Sequence, residues 1–169
     1  MKSYTGDFGI MSEDFEQIET DRFVWRWNEG IRPFIRPLKP AKARAIYAIM
    51  LDYISRWGCM LSEEYFSSVD ILDSNAHDTE ASQWLGERAG PSTTDVLVAY
   101  RPGQAYLVAW DIFHAHWNDF CYPSSDDVIV TPLTEEWVLL FYHEEIFFWG
   151  KPHRKAVGRN GRDRAQRRA

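Results

Sequence analysis

Two apolar runs, Asp95-Val-Leu-Val-Ala-Tyr100 and Gln104-Ala-Tyr-Leu-Val-Ala-Trp110, flank the tripeptide Arg101-Pro102-Gly103. Pro presets the φ of the second position of a turn, and Gly accepts the positive φ of the third. The segment therefore predicts a β-hairpin closed by a type II turn. Both arms are apolar on both faces, which places the hairpin centrally in its sheet.

Other segments supply the remaining strands. Asp127-Val-Ile-Val-Thr131, Trp137–Tyr142 and Ile146–Trp149 read as strands, with His143-Glu144-Glu145 as the turn or bulge between the last two. Phe23, Trp25 and Trp27 alternate with Arg22, Val24 and Arg26, the pattern of a half-buried strand over Asp21–Asn28, ended by Asn28-Glu29-Gly30. A helix is predicted over Ala41–Trp57. It opens after Pro40, carries Ile46, Met50, Tyr53, Ile54 and Trp57 on one apolar face, and closes at Gly58. Ser12–Glu19 fits a short helical turn, and residues 31–40, with Pro33, Pro37 and Pro40, an extended and irregular passage. Asp111 stands where a helix cap belongs, and Phe113, Trp117 and Phe120 then share one side of a turn or two. Ser62–Phe66 and Ser74–Pro91 leave helix and loop open, and Val69–Asp73 is too short to decide. The economical sum is an α+β fold: an antiparallel sheet of about five or six strands with helices packed mainly on one side.

With 169 residues, 45% of them hydrophobic, the chain suits one domain with one core, expected over residues 1–150. Residues 151–169 differ sharply. They hold eight of the 19 Lys/Arg and one of the 25 Asp/Glu, leaving 11 basic and 24 acidic side chains in residues 1–150, a net of −13. An acidic body repels nucleic acid and attracts basic proteins. The basic end is expected to be a flexible tail, and is the one part suited to nucleic acid. Cys59 and Cys121 form no metal or disulfide pattern, Met1–Phe15 lacks the apolar segment of a secretory signal, and no run reaches membrane-spanning length. A cytoplasmic chain is expected, with no cofactor.

Three constellations can carry function. His114-x-His116 with His143 and Glu144 offers the ligand types of a metal-dependent hydrolase. On a helix, however, residues 114 and 116 point apart, and ordinary surface histidines are the commoner explanation. Ser124, Ser125, Asp126 and Asp127 offer acid–base or nucleophilic groups, but nothing in the sequence ties a histidine to them, and Pro-Ser-Ser-Asp-Asp is also a good turn. No P-loop or dinucleotide fingerprint is present. The third constellation is a recognition surface: Asp111, Asp119, Asp126, Asp127, Glu135, Glu136, Glu144 and Glu145 interleave with aromatics that include Tyr122 and Trp137. Tyr and Trp supply contact area, and carboxylates pair with a partner's Arg or Lys. That reading favours a binding protein over an enzyme.

Cys121-Tyr-Pro-Ser-Ser-Asp-Asp-Val, Glu136-Trp137, Tyr142-His143-Glu144-Glu145 and Phe148-Trp149-Gly150 together resemble the C-terminal phrase of small acidic bacterial immunity-type proteins of polymorphic toxin systems. The resemblance covers roughly residues 106–150. More distantly, the chain is similar to the acidic α+β immunity proteins of the Smi1/Knr4-like superfamily. The resemblance implies a protein that binds and neutralises a cognate cytosol-acting toxin and brings no catalytic residues with it. The basic segment from Lys151 departs from the phrase.

Overall fold

The computed structural model describes residues 8–73, 78–89 and 95–156. In chain order its elements are β1 (Ile35–Pro37), α1 (Pro40–Met50), β2 (Asp70–Asp73), α2 (Asp78–Ala89), β3 (Asp95–Arg101), β4 (Gln104–Ala109), α3 (Trp110–Ala115), α4 (Trp117–Phe120), β5 (Val128–Pro132), β6 (Val138–Tyr142) and β7 (Ile146–Gly150). Short 3-10 turns punctuate the chain up to Tyr53. The strands form one antiparallel sheet in the order β1-β4-β3-β5-β6-β7-β2. The fold class is α+β as expected, with seven strands where five or six were counted.

The hairpin is β3 and β4, with Val96 opposite Val108 and Val98 opposite Tyr106. Gly103 takes φ +82°, as the third position of a type II turn requires. Both faces of its arms are buried because the sheet is covered on both sides. One face carries Val96, Val98, Tyr106, Val108, Val130, Leu139 and Phe147, packed under α2, α3 and α4. The other carries Leu97, Ala99, Leu107, Ile129 and Leu140, packed under Ala43, Ile46 and Met50 of α1. Three of the four helices thus lie on one face, and Phe113, Trp117 and Phe120 point together into that core as their spacing predicts.

Several boundaries shift for physical reasons. Asp21–Asn28 is not a strand. Asp21 accepts the backbone N–H of Phe23 on its side chain and that of Val24 on its carbonyl, winding the chain into a 3-10 turn at Val24–Arg26. Trp27 is then buried edge-on against Tyr106, while Trp25 stays 72% exposed. The α1 helix stops at Met50, not Trp57: Tyr53 and Ile54 are still buried, but Ile54 reaches the core as extended chain bridged to Leu61, and Trp57 is 82% exposed. The short Val69–Asp73 run contributes the edge strand β2, and the 74–91 stretch contributes α2. Ala109, not Asp111, occupies the cap position of α3; Asp111 sits in the first turn, where its charge favours the helix dipole.

Beyond Gly150 the chain stays bonded to the body. His153 donates its backbone N–H to Tyr65 O, Arg154 pairs with Glu64, and the Ala156 N–H donates to Tyr53 Oη at 3.0 Å. The boundary drawn at Gly150 therefore falls within attached chain, and residues 157–169 of the expected tail lie outside the described residues. Among the described residues no helix is long and apolar enough to cross a membrane.

Candidate functional site

Antiparallel pairing brings three loops to one end of the sheet: the β3–β4 turn, the chain entering β5 at Asp127, and the β6–β7 turn at His143–Glu145. The Tyr122–Asp126 turn lies across this end. It is closed by Asp126 N–H on Tyr122 O, and Ser124, at φ 64°, donates its N–H to His143 O at 2.8 Å. The turn is thus fastened to the β6–β7 turn by main-chain bonding.

Asp126 is not on the surface. Its carboxylate takes both arms of the Arg26 guanidinium, and only 6% of either side chain is exposed. Asp126 also accepts the Tyr122 N–H at 3.3 Å. Tyr100 and Tyr122 enclose the guanidinium, with Cζ 4.6 and 5.1 Å from the ring centroids. Burial works against the charge on Arg26, but the Asp126 carboxylate prevails and holds its pKa above the ordinary arginine value. The expectation that Asp126 faces a partner is overturned, because this carboxylate neutralises the chain's own cation.

Around that pair lie two cavities that meet at Ser125. One, of about 310 Å³, is lined by Trp25, Arg26, Tyr122 and Ser125; the other, of about 230 Å³, by Tyr47, Tyr100, Arg101, Ser125, Asp126 and Asp127. Trp25 at 72% and Tyr122 at 40% exposure stand as open aromatic walls on a rigid base. Trp25, Arg26, Tyr47, Tyr100 and Arg101 were not legible as site residues, although Trp25 sat in the Phe23/Trp25/Trp27 alternation that misled the strand assignment.

Asp127 remains at the surface and engages a histidine. One of its oxygens accepts the His143 backbone N–H at 3.1 Å and lies 2.8 Å from His143 Nδ1, while the imidazole rests against Tyr142 with centroids 4.2 Å apart. The sequence alone tied no histidine to the Ser124–Asp127 turn, and the fold brings His143 to it. A carboxylate on Nδ1 fixes an imidazole and leaves its other nitrogen outward, an arrangement suited to hydrogen bonding or proton transfer. A serine nucleophile would also need its hydroxyl on that ring. Ser125 Oγ instead donates to Tyr122 O, and among the described residues no serine hydroxyl bonds to His143.

The other anticipated contact residues divide. Glu144 is exposed and Glu145 half-buried at the same sheet end as Tyr122 and Asp127. Glu135 is buried, at φ 54°, and accepts the Tyr53 hydroxyl; Trp137 is buried and stacked on Trp149 at 4.2 Å. Both leave the recognition surface. Glu136 is exposed at the opposite end of the sheet. Asp111 is exposed on α3, and Asp119 accepts from Asn28 at 3.2 Å beside His116. The carboxylates therefore form no single continuous face.

The histidines are dispersed too. His114 Nε2 lies 2.7 Å from Ser82 O and its ring stacks on Trp110, His116 neighbours Asp119 at 3.6 Å, and His143 belongs to Asp127. The His114, His116, His143 and Glu144 constellation does not assemble, and among the described residues no three His, Cys, Asp or Glu gather as a metal site. Compared with protein families, characterised proteins and solved structures, the chain matches none.

Proposed function

We propose that the protein is an immunity-type inhibitor that binds a cognate cytosol-acting bacterial toxin domain and blocks it. The observation that supports this reading most is the convergence, at one end of the sheet, of the open Trp25–Tyr122 cavity with the surface carboxylates Asp127, Glu144 and Glu145. Exposed aromatics on a fixed base give contact area at low entropic cost, and neighbouring carboxylates choose partners that carry Arg or Lys. The net of −13 over residues 1–150 would raise the rate at which a basic toxin surface meets the protein. The resemblance of residues 106–150 to immunity-type proteins points the same way.

The test is co-purification with the protein encoded by the neighbouring gene, together with growth of cells expressing it. A stable complex and restored growth are expected. No complex and no protection would overturn the reading.

A further inference from the structure

The β3–β4 turn carries a feature that recognition of a basic partner does not explain. Arg22, Arg44 and Arg101 all project around it, from the N-terminal turn, from α1 and from the end of β3. Measured from where a Cβ would stand on Gly103, Arg44 Nη1 lies at 3.6 Å and Arg22 Nη2 at 3.8 Å. Arg22 and Arg101 also share one aromatic ring, with Cζ 4.6 and 4.9 Å from the Phe23 centroid. All three side chains belong to exposed residues.

Glu16 acts on Arg22 through charge alone, and the other carboxylates in the vicinity are engaged elsewhere. Asp21 accepts from Tyr106 Oη at 2.8 Å and from Phe23 N–H, Asp126 holds Arg26, and Asp127 holds His143. Arg101 Nε donates to Gln104 Oε1 at 2.7 Å, which fixes its guanidinium while leaving its terminal nitrogens free of that bond. Among the described residues none of the three arginines forms an ion pair, whereas Arg26, Arg36, Arg88 and Arg154 each do. Three like charges are thus gathered with no salt bridge to any of them among the described residues, in a chain whose net charge is −6. Mutual repulsion disfavours that arrangement, and a bound dianion relieves it.

We propose that Arg22, Arg44 and Arg101 form a binding site for a phosphate group at the Gly103 turn. Guanidinium forks match phosphate oxygens, and one carboxylate would satisfy a single fork, whereas a phosphate presents enough oxygens and charge for three. Gly103 keeps the approach to the turn open, and its φ of +82° disfavours any side chain there. This site borders the proposed toxin-binding end of the sheet, sharing Arg101 with its second cavity, but does not depend on the toxin-binding reading.

Inorganic phosphate titrated into the full chain at constant ionic strength, followed through the arginine Nε–H NMR signals, tests the assignment. Saturable shifts of the Arg22, Arg44 and Arg101 signals are expected, with affinity weakened about tenfold by Arg44→Gln or Arg22→Gln and unchanged by Arg56→Gln, an exposed arginine outside the cluster. Unsaturable shifts matching those from chloride, or equal affinity in the Arg44→Gln and Arg22→Gln variants with folding intact, would overturn it. Adenosine 5′-monophosphate distinguishes the source: binding equal to that of phosphate assigns a free phosphate, and tighter binding assigns a nucleotide, both supporting the site.

Discussion

Arg26 and Asp126, 100 residues apart in sequence, close a two-armed ion pair with 6% of either side chain exposed. It ties the N-terminal turn to the loop before β5 and sets the floor on which Trp25 and Tyr122 stand. A buried pair of this kind adds little over a well-packed apolar pair, but breaking one half leaves an uncompensated buried charge. Asp126→Ala should therefore lower the unfolding free energy by about 3–5 kcal/mol, and Arg26→Met with Asp126→Leu should recover most of that loss. Asp127→Ala, at the surface, should cost about 1 kcal/mol or less. Urea denaturation of the variants checks the contrast.

Glu135 should make stability depend on pH. Burial holds its carboxyl above the usual glutamate value of 4.5, against the opposing pull of the Tyr53 hydroxyl. The folded chain keeps this proton to higher pH than the unfolded chain does. The group's contribution is thus fully present below 4.5 and is lost as pH rises through the folded value. Glu135→Gln should lose less stability than the parent between acid and neutral pH, which urea midpoints across that range will measure.

Gly150 should not tolerate a methyl group. A Cβ there would stand 2.5 Å from Phe66 Cδ1 and 3.1 Å from Leu61 Cδ1, in a core already filled. Gly150→Ala should destabilise by about 1–3 kcal/mol through overpacking, and Phe66→Leu in the same chain should return part of it. Thermal unfolding of the single and double variants gives the comparison.

The parts of the fold legible in sequence are those fixed by local pattern. The β3–β4 hairpin showed itself through Pro102-Gly103 between doubly apolar arms, and Phe113, Trp117 and Phe120 through helical spacing. Where long-range partners decide, pattern misleads. Phe23, Trp25 and Trp27 alternate like a strand, yet Asp21 bends their backbone while bonding Tyr106, 85 residues away. The candidate site suffered most, because the acidity of Asp126 and Glu135 suggested surface roles while their partners Arg26 and Tyr53 lie 100 and 82 residues upstream. Tyr122, Asp127, Glu144 and Glu145 lie at one sheet end because the strands that bracket them, β5, β6 and β7, fall close to where the sequence pattern puts them.

The proposed recognition through the aromatic end of the sheet is measured most directly by the affinity of the purified protein for the protein encoded by the neighbouring gene. Trp25→Ala and Tyr122→Ala should each weaken that complex by about 2 kcal/mol or more, roughly 30-fold, with the unfolding midpoint of Trp25→Ala unchanged and both variants folded. A complex whose affinity ignores both substitutions, or no complex at all, would contradict it.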